Sequence, residues 1–182
     1  RSKYATNIDT LITEGTMLNR NDECIHECKV SEKMANVMKA FKYVFVLASA
    51  TDIERLASIK NASSEAKKTL YVCSNFMAST MKFFTERESS LSRGLFNFSP
   101  RMLRLNGLDR IKKKGFVLIA GTSQISRVKK LLKELPIEET LLIYSSWEGY
   151  YTIPEQIAAN PGYKNFRELL QHRRYTYFWP CR

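Results

Sequence analysis

At 182 residues the chain is long enough for one domain with a sizeable core, and its 44% hydrophobic content is typical of a globular protein. No apolar run approaches the roughly 18 residues of a membrane-spanning helix, and no charged-then-apolar leader opens the chain, so we expect no membrane partner. The net charge of +11 favours an anionic partner, RNA or DNA, although a merely basic surface explains it equally well.

The first predicted element is a short buried strand over residues 8–13, which stops at Glu14, Gly15 and Thr16. A carboxylate at the end of a strand, followed by a glycine turn, is a common place for a reacting group in α/β enzymes. The alternative is a strand that ends in a solvated glutamate. Because the chain begins with Arg1 rather than Met, we also expect a fragment or a processed product.

Strands and helices then alternate along the chain. Helices are predicted where apolar residues recur at helical spacing behind a capping residue, with Ser31, Thr51, Asn75 and Ser123 as the caps. Strands are predicted where apolar runs are continuous, at residues 43–48, 69–73, 116–120, 140–145 and 175–178. Residues 87–114 interrupt this alternation and are expected to form a packed excursion with a short helix near its end. A helix around residues 163–170 precedes the last strand.

This alternation predicts an α/β fold with a parallel, Rossmann-like sheet flanked by helices on both faces. Such a fold suggests a nucleotide site first, and Gly121, Thr122, Ser123 and Gln124 form a turn that could hold a phosphate. The turn lacks both the glycine fingerprint of dinucleotide sites and the lysine of a P-loop. An ordinary capped turn therefore explains it better.

The four cysteines, Cys24, Cys28, Cys73 and Cys181, are few and unevenly spaced, which indicates a reducing, cytoplasmic setting without disulfides. Cys24, His26 and Cys28 invite a metal interpretation. On a helix, however, His26 points away from the two cysteines, and a structural zinc needs four ligands. We therefore predict no metal site in this chain.

Basic residues form three groups that could bind nucleic acid. If the groups converge, they make a groove that follows phosphates, with Trp147, Tyr150 and Tyr151 as stacking partners. If they do not, they are three separate solvated faces. The candidate nucleic-acid-binding residues are Arg110, Lys112, Lys113, Lys114, Arg127, Lys130, Arg173 and Arg174.

Three phrases of the sequence resemble a known family. Residues 9–16 with Arg20 are similar to the segment that leads into the β-CASP region of metallo-β-lactamase-fold nucleases, the ribonuclease J-like group. Residues 45–55 resemble the first strand and helix of that region, and residues 143–150 resemble a phrase late in it. The resemblance implies a cleft for RNA or DNA beside a zinc site, with Glu14 as a partner of an active-site histidine rather than a metal ligand.

Two departures from the family pattern limit what this chain can do. The His-x-His-x-Asp-His metal motif is absent, and with its histidines missing the chain cannot hold a catalytic zinc pair. The family also expects a His-Thr-Ser-Gly-His-Ala phrase near the end, where this chain has residues 177–182, Tyr-Phe-Trp-Pro-Cys-Arg. The codons CAT-ACT-TCT-GGC-CAT-GCC-GC encode the expected phrase and, read two bases later, encode this tail, so we hypothesise a frame slip near residue 176.

The resemblance therefore implies three regions. Residues 1–20 are a residual strand and motif of the parent metallo-β-lactamase fold, residues 21–174 are the β-CASP domain, and residues 175–182 are a return strand with a frame-shifted tail. We expect the parent to be a zinc-dependent RNA or DNA phosphodiesterase and the fragment alone to be inactive. The alternative is a non-catalytic basic α/β module that binds nucleic acid or protein, and homo-oligomerisation stays open.

Overall fold

A computed structural model describes residues 9–10, 25–90, 92–104, 108–171 and 176–178. Within them, six strands form one sheet in which every pairing is parallel. The strands are β1 Tyr43–Leu47, β2 Leu70–Val72, β3 Arg101–Met102, β4 Phe116–Ala120, β5 Thr140–Tyr144 and β6 Thr176–Phe178, in the spatial order β3-β2-β4-β1-β5-β6. The predicted α/β fold class with a parallel sheet is confirmed.

Eight helices connect or precede these strands in the described part of the chain. They are α1 Glu27–Ala40, α2 Ile53–Glu65, α3 Asn75–Glu86, α4 Leu108–Lys114, α5 Ile125–Leu132, α6 Gly149–Thr152, α7 Pro154–Ala159 and α8 Pro161–Gln171. A single 3-10 turn, Thr122–Gln124, leads into α5.

The central strands are buried along their whole length because helices cover both faces of the sheet. Val44 and Val46 of β1 face a core built with α1, α2 and α3. Phe45 and Leu47, one residue out of phase, face a second core built with α4, α5 and α8. This two-sided burial explains why β1, β4 and β5 show continuous apolar runs rather than alternation.

The chain leaves β1 toward one face of the sheet and leaves the neighbouring strands β4 and β5 toward the other face, and this divergence positions the candidate site. After β1 the chain passes to α2 on the first face, whereas after the neighbouring strands β4 and β5 it passes to helices on the second face. The connecting loops therefore separate at the carboxyl ends of these strands. In open parallel sheets this is where a crevice forms and ligands bind.

Several boundaries differ from the predicted ones. Helix α1 begins at Glu27, before the predicted cap Ser31, and α2 and α3 are capped by Asp52 and Ser74 rather than by Thr51 and Asn75. The excursion contains the predicted short helix, α4, and also the unpredicted strand β3. Most of the predicted opening strand over residues 8–13 lies outside the described residues.

Candidate functional site: a cleft at the carboxyl edge of the sheet

A cleft of about 420 Å³ lies where the loops after β1, β2, β4 and β5 separate, and we call it the carboxyl-edge cleft. Leu47 and Tyr144, neighbours across the β1–β5 pairing, form part of its floor. Among the described residues, those that line it carry no formal charge. Its polar side chains are hydroxyls and one amide, from Ser49, Ser74, Thr122, Ser123, Gln124, Tyr144, Ser146, Tyr150 and Tyr163.

Helix starts surround the cleft because each parallel strand is followed by a turn into a helix. The Ser74 hydroxyl caps α3 by accepting the Met77 N–H at 3.3 Å. On the β4 side, the Gly121 N–H donates to Gln124 Oε1 at 2.9 Å, which closes the turn into α5. The positive ends of these helix dipoles make the uncharged cleft favourable for a negatively charged group.

Aromatic rings stand on both sides of the cleft. On one side Phe76, in the first turn of α3, is 65% exposed. On the other side the rings of Tyr150 and Tyr163 stack at 5.1 Å, almost parallel, and Trp147, 43% exposed, meets Tyr150 edge-on at 5.4 Å. Tyr150 and Tyr163 are half-buried, whereas the exposed ring of Phe76 is suited to stacking on planar groups such as nucleobases.

Two close backbone approaches hold the aromatic side in place. A Cβ on Gly149 would lie 2.4 Å from the Trp147 ring, and a Cβ on Gly162 would lie 2.7 Å from the Thr122 carbonyl oxygen. The Tyr144 hydroxyl donates to the Trp147 carbonyl at 2.8 Å, and burial raises the pKa of this phenol, so it stays protonated. The rings near the cleft are therefore anchored to β5 and to the turn after β4.

A partly buried ionic network lies beside the cleft and ties three elements together. Arg55 of α2 binds the Glu27 carboxylate of α1 through Nε and Nη2, at distances down to 2.7 Å, and donates from Nη1 to Ser145 Oγ at 2.7 Å. Ser58 adds a 2.6 Å hydrogen bond to Glu27 Oε2. The network fixes the end of β5, and the next residue, Ser146, lines the cleft.

The environment of Glu27 favours its ionised form. Burial acts to raise the pKa of the carboxyl, but the hydrogen bonds from Arg55 and Ser58 outweigh it and hold the pKa below its ordinary value. The Arg55 side chain is only 12% exposed, so its charge depends on this partner.

The structure does not bring the predicted basic residues to this cleft. Arg110, Lys112, Lys113 and Lys114 lie on α4, which ends directly before β4, and therefore belong to the opposite, amino edge of the sheet. Lys112 is paired with Glu134 at 2.7 Å. This ion pair joins α4 to the residues just after α5, away from the carboxyl-edge cleft.

The remaining predicted site residues have different surroundings. Arg127 of α5 donates to the backbone carbonyls of Cys73 at 3.4 Å and Leu103 at 2.7 Å, so its guanidinium joins α5 to the ends of β2 and β3. Lys130 is exposed on α5. Glu14, Arg173 and Arg174 lie outside the described residues.

Sequence reasoning missed Ser49, Ser74, Phe76 and Tyr163 as cleft residues. The signal for the first three was their position, since each follows closely on the end of a buried strand. Carboxyl ends of parallel strands meet at one edge, so residues after β1 and β2 had to lie near the turn after β4. Nothing local marks Tyr163, because it reaches the cleft only through the packing of α8 on that turn.

The fold and the cleft define a doubly wound α/β domain with an uncharged, hydroxyl-lined crevice at its switch point. No model of a protein family matches the chain, and no curated protein matches it either. None of the helices in the described part combines the length and apolar character needed to cross a membrane. The described residues also contain no group of three or more His, Cys, Asp or Glu side chains placed to hold a metal ion.

Proposed function

We propose that the chain is the β-CASP region of a zinc-dependent metallo-β-lactamase-fold hydrolase, and that its carboxyl-edge cleft receives a strand of RNA or DNA. The observation that carries the proposal is the placement of two of the resembling phrases. Residues 45–55 and 143–150 are far apart in the sequence, yet Leu47 pairs with Tyr144 and Arg55 donates to Ser145. Both phrases contribute residues to the same cleft.

The chemistry of the cleft supports a single strand rather than a duplex. Exposed rings such as Phe76 stack on unpaired bases, and helix N-termini with hydroxyls favour a phosphate without a strong positive charge. In a base-paired duplex the faces of the bases are already stacked on one another. A single strand therefore suits the lining of this cleft better than a duplex does.

Within the residues that the structure describes, no side chains are placed to form a zinc centre. The sequence contains two histidines, His26 and His172, and the described part holds no cluster of metal-ligating side chains. Zinc would be held by the other half of the parent protein, where the resemblance implies that it activates water, and Glu14 is proposed to position a histidine there. The chain by itself is proposed to bind a strand without cleaving it, in the cytoplasm, where Cys28 and Cys73 stay free.

A second candidate function is a non-catalytic module that binds nucleic acid through its basic surface. The observation in its favour is the run Lys112, Lys113 and Lys114 at the amino edge, of which the last two are exposed. Binding of that kind depends on phosphates and is insensitive to the aromatic rings of the opposite edge.

Substitution of two phenylalanines on the same helix distinguishes the two proposed functions by experiment. Phe76 lines the cleft, whereas Phe83, also exposed on α3, lies under the guanidinium of Arg87 at 3.8 Å. We expect Phe76→Ala to weaken binding of a fluorescent single-stranded RNA about tenfold, since a stacked base contributes about 1–3 kcal/mol. Phe83→Ala is the control and should bind as the unchanged protein does. Equal binding by both variants would refute RNA binding in the carboxyl-edge cleft and favour binding through the basic surface.

A further inference from the structure

A second cleft, of about 430 Å³, lies near the amino ends of β2 and β3, and we call it the amino-edge cleft. Three cationic side chains line it, from Lys60, Lys68 and Arg101. Hydroxyl and amide side chains line it as well, from Ser63, Ser64, Thr69, Asn97 and Ser99. None of the described residues that line it is acidic.

The cations of this cleft are left without a neutralising carboxylate. Within the described part of the chain, Lys60, Lys68 and Arg101 take part in no salt bridge. Lys60 Nζ instead donates to the carbonyl oxygens of Gly94, Leu95 and Asn97, at 3.4, 3.1 and 3.4 Å. Glu88 is the acid that acts on Lys60, and it does so without forming an ion pair. The cleft therefore keeps a net positive potential.

Partial burial makes the positive charges of Lys60 and Lys68 costly. It lowers the pKa of both Lys60 and Lys68, because water that would solvate each ammonium is excluded. An anion in the cleft would offset the lost solvation of both groups.

Two of the three cations stand on fixed backbone. The N–H groups of Lys67 and Lys68 donate to the carbonyls of Ser64 and Ser63 at 3.0 and 2.9 Å, which closes the end of α2 and occupies those carbonyl oxygens. Arg101 is held by the pairing of β3 with β2, where it lies opposite Tyr71. The charged side chains therefore converge because of the fold.

We propose that the amino-edge cleft binds a phosphate group through Lys68 and Arg101, beside the positive charge of Lys60, with Ser64 and Ser99 as additional donors. The same edge continues from β2 to β4, whose preceding residues include the exposed Lys113 and Lys114. The phosphate belongs either to a nucleic-acid strand that follows this edge or to a small phosphorylated compound. This site is separate from the carboxyl-edge cleft and does not depend on the function proposed for it.

The test compares two double variants with the same change of net charge. Lys68→Ala/Arg101→Ala removes charge from the cleft, and Lys29→Ala/Lys82→Ala removes it from two exposed helical positions. The probes are tripolyphosphate, followed by calorimetry, and fluorescent single-stranded RNA, titrated at several salt concentrations. We expect the cleft variant to bind at least one probe about tenfold more weakly than the control variant, and to reduce the RNA salt slope by about 1 to 2.

The two probes identify the source of the phosphate. If the cleft variant binds both probes more weakly, the site accepts free phosphorylated compounds as well as nucleic acid. If it binds only the RNA more weakly, the site binds a nucleic-acid strand. Equal binding by the cleft and control variants, or no binding of either probe by the unchanged protein, would overturn the proposal. Circular dichroism checks folding, and Lys68→Glu alone, which should weaken binding further than Lys68→Ala, serves if the double variant unfolds.

Discussion

At the scale of single residues, the contact between Glu27 and Arg55 has the clearest consequences for stability. We expect Glu27→Gln to lower the free energy of unfolding by about 2–3 kcal/mol, since it removes the carboxylate that the largely buried Arg55 guanidinium binds through Nε and Nη2. The control is Glu32→Gln, whose exposed partner Lys29 lies 3.5 Å away and which should change stability by less than about 0.5 kcal/mol. Urea unfolding of both variants measures the difference, and equal effects would contradict the network.

The Glu27 carboxylate also makes the stability of the protein depend on pH, in a direction that its pKa determines. The pKa of Glu27 is lower in the folded protein than its ordinary value of 4.5, so the unfolded chain binds the proton more readily. The stabilisation is therefore complete above pH 4.5 and is lost as the pH falls through the folded-state pKa. Unfolding followed from pH 6 downward should show a shallower loss of stability in Glu27→Gln than in the unchanged protein.

The sequence predicted the positions of the helix caps closely, but it did not predict which groups each side chain contacts. The caps of α2 and α3 each lie one position from the predicted residue, because Thr51 and Asp52, and likewise Ser74 and Asn75, are all good capping residues and the strand end decides between them. The role of Arg127 was not visible, since the carbonyls of Cys73 and Leu103 approach it only in the folded sheet.

At the scale of elements, the turn from α4 into β4 depends on Gly115. This residue has a φ of +72°, and a Cβ there would lie 2.5 Å from the Lys42 carbonyl oxygen, the acceptor of the Phe116 N–H. We expect Gly115→Ala to lower the free energy of unfolding by at least about 3 kcal/mol, because both the left-handed backbone and the clash oppose it.

A second glycine provides the matched control for that turn. Gly94 also has a positive φ, +79°, but a Cβ there meets nothing within 4 Å. Gly94→Ala should therefore cost about 1 kcal/mol, the backbone strain alone. Thermal and urea unfolding of both variants checks the difference, and a loss as large for Gly94→Ala as for Gly115→Ala would show that the close approach to Lys42 is unimportant.

The main strands were predictable from the sequence because burial on both faces leaves a continuous apolar run. Strand β3 was not, since its two residues, Arg101 and Met102, form no such run and are a strand only because β2 accepts them as a neighbour. Similarly, α1 begins before the predicted cap because Glu27 is held by Arg55 and Ser58 of α2. Both differences arise from contacts between distant parts of the chain.

At the scale of the whole molecule, the two edges of the sheet have different chemistry. The carboxyl edge carries an uncharged cleft with exposed rings, and the amino edge carries a cationic cleft and the lysines of α4. The composition correctly indicated excess positive charge but not its distribution, because the residues of each edge come from turns dispersed along the chain. Only the order of the strands determines which turns become neighbours.

The most direct test of the central claim is photochemical cross-linking of the full chain to single-stranded RNA that contains 4-thiouridine, with the linked residues identified by mass spectrometry. The proposed carboxyl-edge cleft predicts cross-links to Phe76, Tyr150 or Tyr163, which line it, or to Trp147, which packs against Tyr150. Phe76→Ala should reduce their yield, whereas Phe83→Ala should not. Cross-links confined to peptides of the amino edge, such as those with Lys68 or Lys114, would contradict the claim.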